Sequence, residues 1–366
     1  MNLPRRPPVR VNSLAGLLAV IPHLLGFTPD NSLVVVGVGR TAGRVQVAFR
    51  YDLPDPPDAS TAAAIADHAA AMLVRQRSVI AVAVGYGQGP RVTPVADAIR
   101  RVVPAAAVEL RDVLRVNDGR YWSYLCSEPS CCPAEGVPFD AAAHPAAKIL
   151  ASMGQLALPD RAALAASIAP LTGTDADAMA EATRRAERAA SRLIAHAGPQ
   201  ALDRPGLGGV RSAIDVYRDG GSITPAVRHA WLGLVLTRLR IRDDAWARMD
   251  PAHHDAHQRL WTDLVRRAQP GYVAAPACLL AVTAWQSGNG ALANIALDRA
   301  LADTPDYTMT RLLREALAAG VPPSAAAPSM TPEEVAASYA ALATGQPADH
   351  AENKDPADPG SATSST

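Results

Sequence analysis

The sequence predicts an α/β fold in its N-terminal part, a mixed sheet with flanking helices, followed by an all-helical C-terminal domain. Short apolar runs typical of strands alternate with helical segments up to about residue 139. Beyond that point the strand patterns stop and one helix pattern follows another. A chain of 366 residues is also long enough for two domains with their own apolar cores.

These patterns divide the chain into five parts. We expect a flexible N-terminus, an α/β domain, a helical domain, a linker with a short helix, and a disordered tail that lacks large apolar residues. Their bounds are 1–9, 10–139, 140–320, 321–343 and 344–366.

The N-terminal elements begin with a short helix that Ser13 caps and that ends before Pro22. Residues 32–38 form a continuous apolar strand, and residues 45–51 alternate as a half-buried strand does. The glycine-containing turn between them predicts an antiparallel hairpin.

The rest of the α/β domain repeats a helix-strand order. The helices are expected over residues 62–76 and 92–103. The apolar runs 79–84 and 105–110 have the composition of strands inside a sheet that is covered on both faces. A last strand is predicted over residues 120–125.

The helical part is marked by caps and by prolines at helix starts. A long helix is expected from Thr174 to Gly198, and further helices open at Pro225 and Pro251. Residues 280–305 resemble a single tetratricopeptide unit, a helical hairpin with small packing residues. No second copy is found about 34 residues before or after it, which is the repeat length of such units. Two packed helices of an ordinary bundle give the same pattern.

Composition excludes some classes of function. The formal net charge is zero, so we expect no bulk binding of nucleic acid, which needs a basic surface. No stretch reaches the roughly 18 apolar residues of a membrane span. Four cysteines in a chain of this length do not form a disulfide framework, and we expect a cytoplasmic protein.

A cysteine cluster is the first candidate site. Cys126, Cys131 and Cys132 lie close together, and thiolates can bind zinc, with His144 or Asp140 as a fourth ligand. No pair has the spacing of a zinc knuckle, and the side chains of adjacent cysteines are expected to point apart. A redox pair of Cys126 with either neighbour, or cysteines that only support a turn, are the alternatives.

A glycine-rich turn is the second candidate. Gly85, Gly87 and Gly89 follow a strand and precede a helix, where backbone amides can hold a phosphate group. The spacing differs from the dinucleotide-binding fingerprint. A strand-to-helix turn that needs a positive φ explains these glycines equally well.

The strand at residues 120–125 is the third candidate. Arg120, Tyr121 and Trp122 are suited to lining a pocket or an interface, or to filling the core. Arg50 and Asp52 leave an earlier strand, and we expect them to pair with this region.

Histidines give a weaker signal. His253 and His257 have the one-turn spacing of zinc ligands, but the glutamate of the metalloprotease motif is missing and His254 follows the first histidine. We expect these residues at an exposed helix start. Nucleophile-elbow and Walker motifs are absent from the sequence.

Four segments taken together resemble one known family. They are residues 22–34, 50–54 and 118–124 with the cysteines that follow, and 284–293. The resemblance is to domain-of-unknown-function family 4192 of high-GC Gram-positive bacteria, and it extends from about residue 10 to about residue 340. It implies that the N-terminal apolar segment belongs to the fold, and it implies no activity.

Two hypotheses of function follow. The first is a non-enzymatic protein that binds a protein partner through its helical half, motivated by the hairpin and by the lack of a catalytic motif. The second is a ligand-binding protein or enzyme whose site lies at the sheet edge, near the glycine-rich turn and the cysteines, because open α/β sheets bind ligands there.

Overall fold

The computed structural model describes residues 13–39 and 45–344, and within them six strands form one mixed sheet. The strand order is β2-β1-β3-β4-β5-β6. Strands β3 and β4 run parallel, and every other neighbouring pair is antiparallel. The strands are β1 (Ser32–Val38), β2 (Val45–Asp52), β3 (Ile80–Tyr86), β4 (Glu109–Asn117), β5 (Arg120–Ser123) and β6 (Val137–Pro138).

Both faces of the central strands are buried, which explains their continuous apolar runs. On β1, Leu33 and Val35 pack against α2 (Ala59–Arg75) and α3 (Gly89–Ala105). The alternate residues Val34 and Val36 belong to a core shared with the helices of the other face. The sequence-predicted mixed sheet with flanking helices is therefore confirmed.

The first helix, α1 (Leu14–Leu25), continues past the point where the sequence predicts its end. Ser13 caps it as expected, because its hydroxyl accepts the backbone N–H of Gly16 at 3.0 Å. Pro22 lies inside the last turn, and the helix ends at Gly26 with a φ of 81°. The predicted stop before Pro22 was wrong, because proline removes only its own N–H and the flanking bonds suffice.

The second prediction that fails concerns β4. The apolar run 105–110 suggests a strand, but α3 continues to Ala105 and β4 begins only at Glu109. Charged residues occur along β4, so the apolar criterion misses most of this strand.

Eleven helices follow the sheet within the described residues, which confirms the helical C-terminal part. They are α4 (Pro145–Ser152), α5 (Arg161–Ser167), α6 (Gly173–Ala197), α7 (Asp203–Arg218), α8 (Ala226–Val235), α9 (Leu239–Ala247), α10 (His254–Arg267), α11 (Ala274–Gln286), α12 (Gly290–Asp303), α13 (Thr308–Ala318) and α14 (Pro332–Thr344).

Helices α11 and α12 form the expected hairpin, and its likeness to a tetratricopeptide unit stays a prediction. Every residue of α11 from Ala274 to Trp285 is buried. This helix is therefore the centre of the helical half and presents little surface of its own.

One apolar core joins the sheet to the helices. Val34 and Val84 of the sheet, Leu18 of α1, and Ile214 and Trp261 of the helical half belong to the same cluster of buried side chains. The two parts thus follow one another in the chain but share their packing.

No helix in the described part of the chain has the length and apolar character of a membrane span. The predicted flexible N-terminus, Gly43 of the predicted turn, and all but the first residue of the predicted tail lie outside the described residues.

Candidate functional site

The three cysteines lie in the connection between β5 and β6, and the start of this connection is fixed by Ser123. The Ser123 hydroxyl donates to Oδ1 of Asp112 on β4 at 2.7 Å. Its oxygen accepts the backbone N–H groups of Leu125 and Cys126, both at 3.0 Å. The position of Cys126 is therefore tied to the sheet through one buried carboxyl group.

A tight turn brings the other two cysteines back toward Cys126. The carbonyl of Glu128 accepts the N–H of Cys131 at 3.2 Å and that of Cys132 at 2.8 Å. The Sγ atoms of Cys126 and Cys131 lie 3.2 Å apart, and those of Cys131 and Cys132 lie 3.8 Å apart. All three sulfur atoms lie within 4.8 Å of one another. The expectation that the adjacent cysteines point apart was wrong, because this turn folds both sulfur atoms to one side.

The end of the loop is held by residues that the sequence suggested as ligand-binding. Trp122 Nε1 donates to the carbonyl of Ala134 at 3.0 Å, and Arg120 donates to that of Gly136 at 2.8 Å. The guanidinium group of Arg115 stacks on the Trp122 ring, with the Arg115 Cζ atom 3.7 Å from the ring centroid. In the structure, Arg120 and Trp122 therefore position the cysteine loop.

Tyr121 lies on the opposite face of β5 from Trp122. Its ring makes an edge-to-face contact with Phe139, with the centroids 6.1 Å apart. Tyr121 also packs against the shared core, so it supports the strand from the helical side.

The three thiols ionise unequally. Hydrogen bonds from the thiols of Cys132 and Cys131, and from the backbone of Glu128, lower the pKa of Cys126. The hydrogen bond to Cys126 raises the pKa of Cys131, and the same contact together with burial raises the pKa of Cys132 to about 12. Cys126 is therefore the first of the three to become a thiolate. Cys131 is exposed, so solvent reaches the cluster.

Neither suggested fourth ligand joins the cluster. His144 caps α4, since its Nδ1 accepts the N–H of Ala146 at 3.2 Å. Asp140 accepts the N–H groups of Ala142 and Ala143. Among the described residues, the three cysteines are the one group of His, Cys, Asp or Glu side chains close enough together to hold a metal ion. The chain thus offers three sulfur ligands.

The glycine-rich turn lies at the C-terminal end of β3, beside the part of β4 that pairs with β5. Gly85 is inside β3, and a Cβ there would lie 2.2 Å from Val92 Cγ1, so this glycine lets α3 approach the sheet. Gly87 has a φ of +133° and Gly89 begins α3. The N–H of Gly87 donates to the carbonyl of Val116. Val116 lies about 13 Å along β4 from Asp112, the residue to which the cysteine loop is anchored through Ser123.

Arg50 and Asp52 lie on β2, at the opposite edge of the sheet from β5. Strands β1, β3 and β4 lie between β2 and β5, so the expected pairing of Arg50 and Asp52 with the region of Arg120 does not form. Instead, Arg50 Nη2 contacts Asp52 Oδ1 at 2.5 Å. Arg50 and Asp52 therefore lie apart from the β5 residues. The glycine-rich turn does lie near β5, because Gly87 bonds to Val116, which pairs with Tyr121. Arg115 stacks on Trp122 and also lies beside Gly89.

The two residues on β2 line a cavity of about 600 Å³ between the sheet edge and the helical half. Sequence reasoning missed the other charged residues of this cavity, Arg161, Asp298 and Arg314. They lie more than a hundred positions from Arg50, and no local pattern connects them.

The histidines at the start of α10 have structural partners. His253 Nδ1 lies 2.7 Å from Oδ2 of Asp250, and His257 Nε2 accepts the N–H of Asp250 at 3.3 Å. The expectation of an exposed position was wrong for His257, which is 2% exposed and stacks on Trp261. These rings therefore cap and pack the helix start.

Comparison with known proteins identifies the family. A model of the family described as a domain of unknown function (DUF4192) matches residues 15–324. Comparison with curated proteins gave no match, and comparison with solved structures gave none. The matched range contains the whole sheet, the cysteine loop and the cavity beside β2. The chain therefore belongs to the DUF4192 family.

Proposed function

We propose that the chain binds one zinc ion through the thiolates of Cys126, Cys131 and Cys132. The convergence of the three sulfur atoms carries the proposal. Zn–S bonds of about 2.3 Å in a tetrahedral site place two sulfur ligands roughly 3.8 Å apart. Cys131 and Cys132 already have this separation, and the 3.2 Å distance between Cys126 and Cys131 has only to widen slightly.

A site with three protein ligands leaves one coordination position for a small exogenous ligand or water. The exposure of Cys131 allows that ligand to approach. The proposed zinc is thus more than a staple for the loop, because a reachable open position permits exchange of the metal or binding of a substrate group. This places a ligand site at the β5 edge of the sheet.

A dithiol–disulfide couple of Cys126 and Cys131 is the second candidate. The 3.2 Å separation of their sulfur atoms and the lowered pKa of Cys126 favour it. Forming the bond would pass two electrons and two protons to an oxidant such as glutathione disulfide. The third thiol, Cys132, has no part in such a couple, and this is the reason that we prefer the metal.

A cytoplasmic location is part of the proposal. All four cysteines are free thiols in the structure, and a reducing compartment keeps thiols available to a metal.

Partner binding through the helical half remains a separate proposal with less support. The hairpin that motivated it is buried along α11. The exposed apolar side chains that a partner could contact include Leu239 and Leu312, at 55% and 60% exposure. Pull-downs from native lysate that recover nothing specific under several conditions would contradict it.

Titration of the reduced, metal-free protein with Co²⁺ tests the zinc proposal. We expect near-ultraviolet thiolate-to-cobalt absorption that saturates at about one equivalent and disappears when zinc is added. Cys131→Ser should lose this absorption. Cys278→Ala is the matched control, because Cys278 is fully buried against Thr310 and should leave the titration unchanged. An unchanged spectrum in Cys131→Ser, or no absorption in the parent protein, would contradict the proposal.

A further inference from the structure

The cavity beside β2 is formed by segments that are far apart in the chain. Its walls come from the end of α1, the edge strand β2, α2, the start of α5, the end of α11, and the helices α12 and α13 with the residues that follow α13. It lies at the other edge of the sheet from the cysteine loop. Its volume of about 600 Å³ is within the usual range for sites that enclose a small organic molecule.

The charged wall of the cavity has more arginine than carboxylate. Arg50 is matched by Asp52, at 2.5 Å. Arg161 and Arg314 share the single carboxylate of Asp298, with Arg161 Nη2 at 3.4 Å and Arg314 in direct contact with the other oxygen. One guanidinium charge is therefore not neutralised by this group of five residues.

Hydrogen-bond donors on this wall are also left over. The Nε–H groups of Arg50 and Arg314 are buried and have no acceptor in the described part of the chain. The Arg50 side chain is 16% exposed, and its guanidinium lies over the Phe27 ring, 5.7 Å from the centroid. Arginine donors in a partly dry setting bind carboxylate or phosphate oxygens strongly and often through two bonds.

The remaining wall is largely apolar, although the polar side chains of Tyr51, His68, Gln76 and Asn294 also line the cavity. The residues on this side share aliphatic or aromatic side chains, and they include Leu24, Phe27, Trp285, Leu317 and Val321. A ligand that fills the cavity must therefore present carbon to one wall and an anionic group to the other. A free inorganic ion would leave the apolar wall facing water.

We infer that this cavity binds a small organic oxyanion, a carboxylate or phosphate monoester attached to an apolar group of about the size of a bicyclic ring. Arg161 and Arg314 hold the anionic group, since they share one carboxylate and have the donors to spare. Arg50 supplies a further guanidinium donor for the anionic group from the sheet side of the cavity. The inference does not depend on zinc at the cysteines, because the two sites are at opposite edges of the sheet.

Calorimetric titration of the full chain with three matched probes tests this inference. The probes are 1-naphthyl phosphate, 1-naphthoate and the neutral 1-naphthamide. We expect at least one anion to bind with one-to-one stoichiometry, and the amide to bind at least tenfold more weakly. The relative affinity of the two anions then distinguishes a phosphate ester from a carboxylate as the natural ligand class.

Two variants localise the binding. Arg161→Gln and Arg314→Gln should each weaken anion binding by roughly tenfold, because each loses a charge-assisted contact. Arg188→Gln is the control, since Arg188 is exposed on α6, pairs with Glu181 and is not part of the cavity. Equal binding of the amide, unchanged affinity in both variants, or no binding of either anion at millimolar concentration would overturn the inference. A variant lacking Cys126 and Cys131 should bind the anion as the parent does.

Discussion

The indole of Trp122 packs directly on Gly136: a Cβ carbon at position 136 would lie 2.4 Å from Cε2 of the ring. Gly136 also has a φ of +82°, a conformation that L side chains rarely adopt. Because Trp122 belongs to β5 and Gly136 directly precedes β6, this contact sets where the cysteine loop ends. The loop is thus held at Ser123 at one end and at Trp122 at the other.

Gly136→Ala should weaken zinc binding although it removes no ligand. The added methyl group would push the loop away from Trp122, and loss of such outer contacts typically costs about 10–100-fold in metal affinity. Competition with a chromophoric chelator measures the affinity. Gly154→Ala is the control, because Gly154 has a φ of +78° but nothing within 4 Å of the added carbon. If both variants bind zinc as the parent does, the loop is not positioned by this contact.

Gly85→Ala should destabilise the fold through a clash with Val92. A Cβ at position 85 would lie 2.2 Å from Val92 Cγ1, between β3 and α3. We expect a loss of about 1–3 kcal/mol in the free energy of unfolding, measured by urea denaturation. In the double variant Gly85→Ala/Val92→Ala, the loss should be smaller than the sum of the two single losses. Additive losses would mean that the two positions do not interact.

His257 should make stability fall as the pH is lowered. Burial, with the nearby charge of Arg218, lowers its pKa from 6.5 to about 4. The unfolded chain therefore takes up a proton near pH 6.5, whereas the folded chain resists protonation until about pH 4. The contribution to stability is complete above the unfolded pKa and is lost as the pH falls through this window. At about pH 5 the loss amounts to about 2 kcal/mol.

The variant His257→Gln isolates this effect, because glutamine does not titrate and retains an acceptor for the Asp250 N–H. Denaturation at about pH 7.5 and about pH 5 should show the parent losing about 2 kcal/mol more than the variant. Other titrating groups, including His229, are common to both proteins. Parallel losses in the two proteins would show that His257 is not responsible.

Most elements were predictable because their signals are local. The predicted strand 32–38 coincides with β1, and the long helix predicted from Thr174 to Gly198 corresponds to α6, since each has a distinct apolar pattern and clear ends. β4 was misplaced because its position depends on pairing with β3 and not on its own composition. Pro22 likewise misled, since tertiary packing of α1 outweighed a local helix-breaking signal.

The sites were less predictable. The cysteines were found from sequence, but the rule that adjacent side chains diverge fails where the backbone turns, as it does after Glu128. The cavity could not be found, because Arg50, Arg161 and Arg314 meet only through the packing of the helical half on the sheet. Arg120 and Trp122 were recognised as candidate binding residues, but their contacts with the backbone of the cysteine loop could not be predicted from the sequence.

The most direct test of the account is the zinc content of untagged protein purified anaerobically from cells grown with zinc. The account predicts about one zinc ion per chain, retained in Cys278→Ala and lost in the double variant Cys126→Ser/Cys131→Ser. Zinc content in the parent protein no higher than in the double variant, with the thiols of Cys126, Cys131 and Cys132 free to react, would contradict the zinc site.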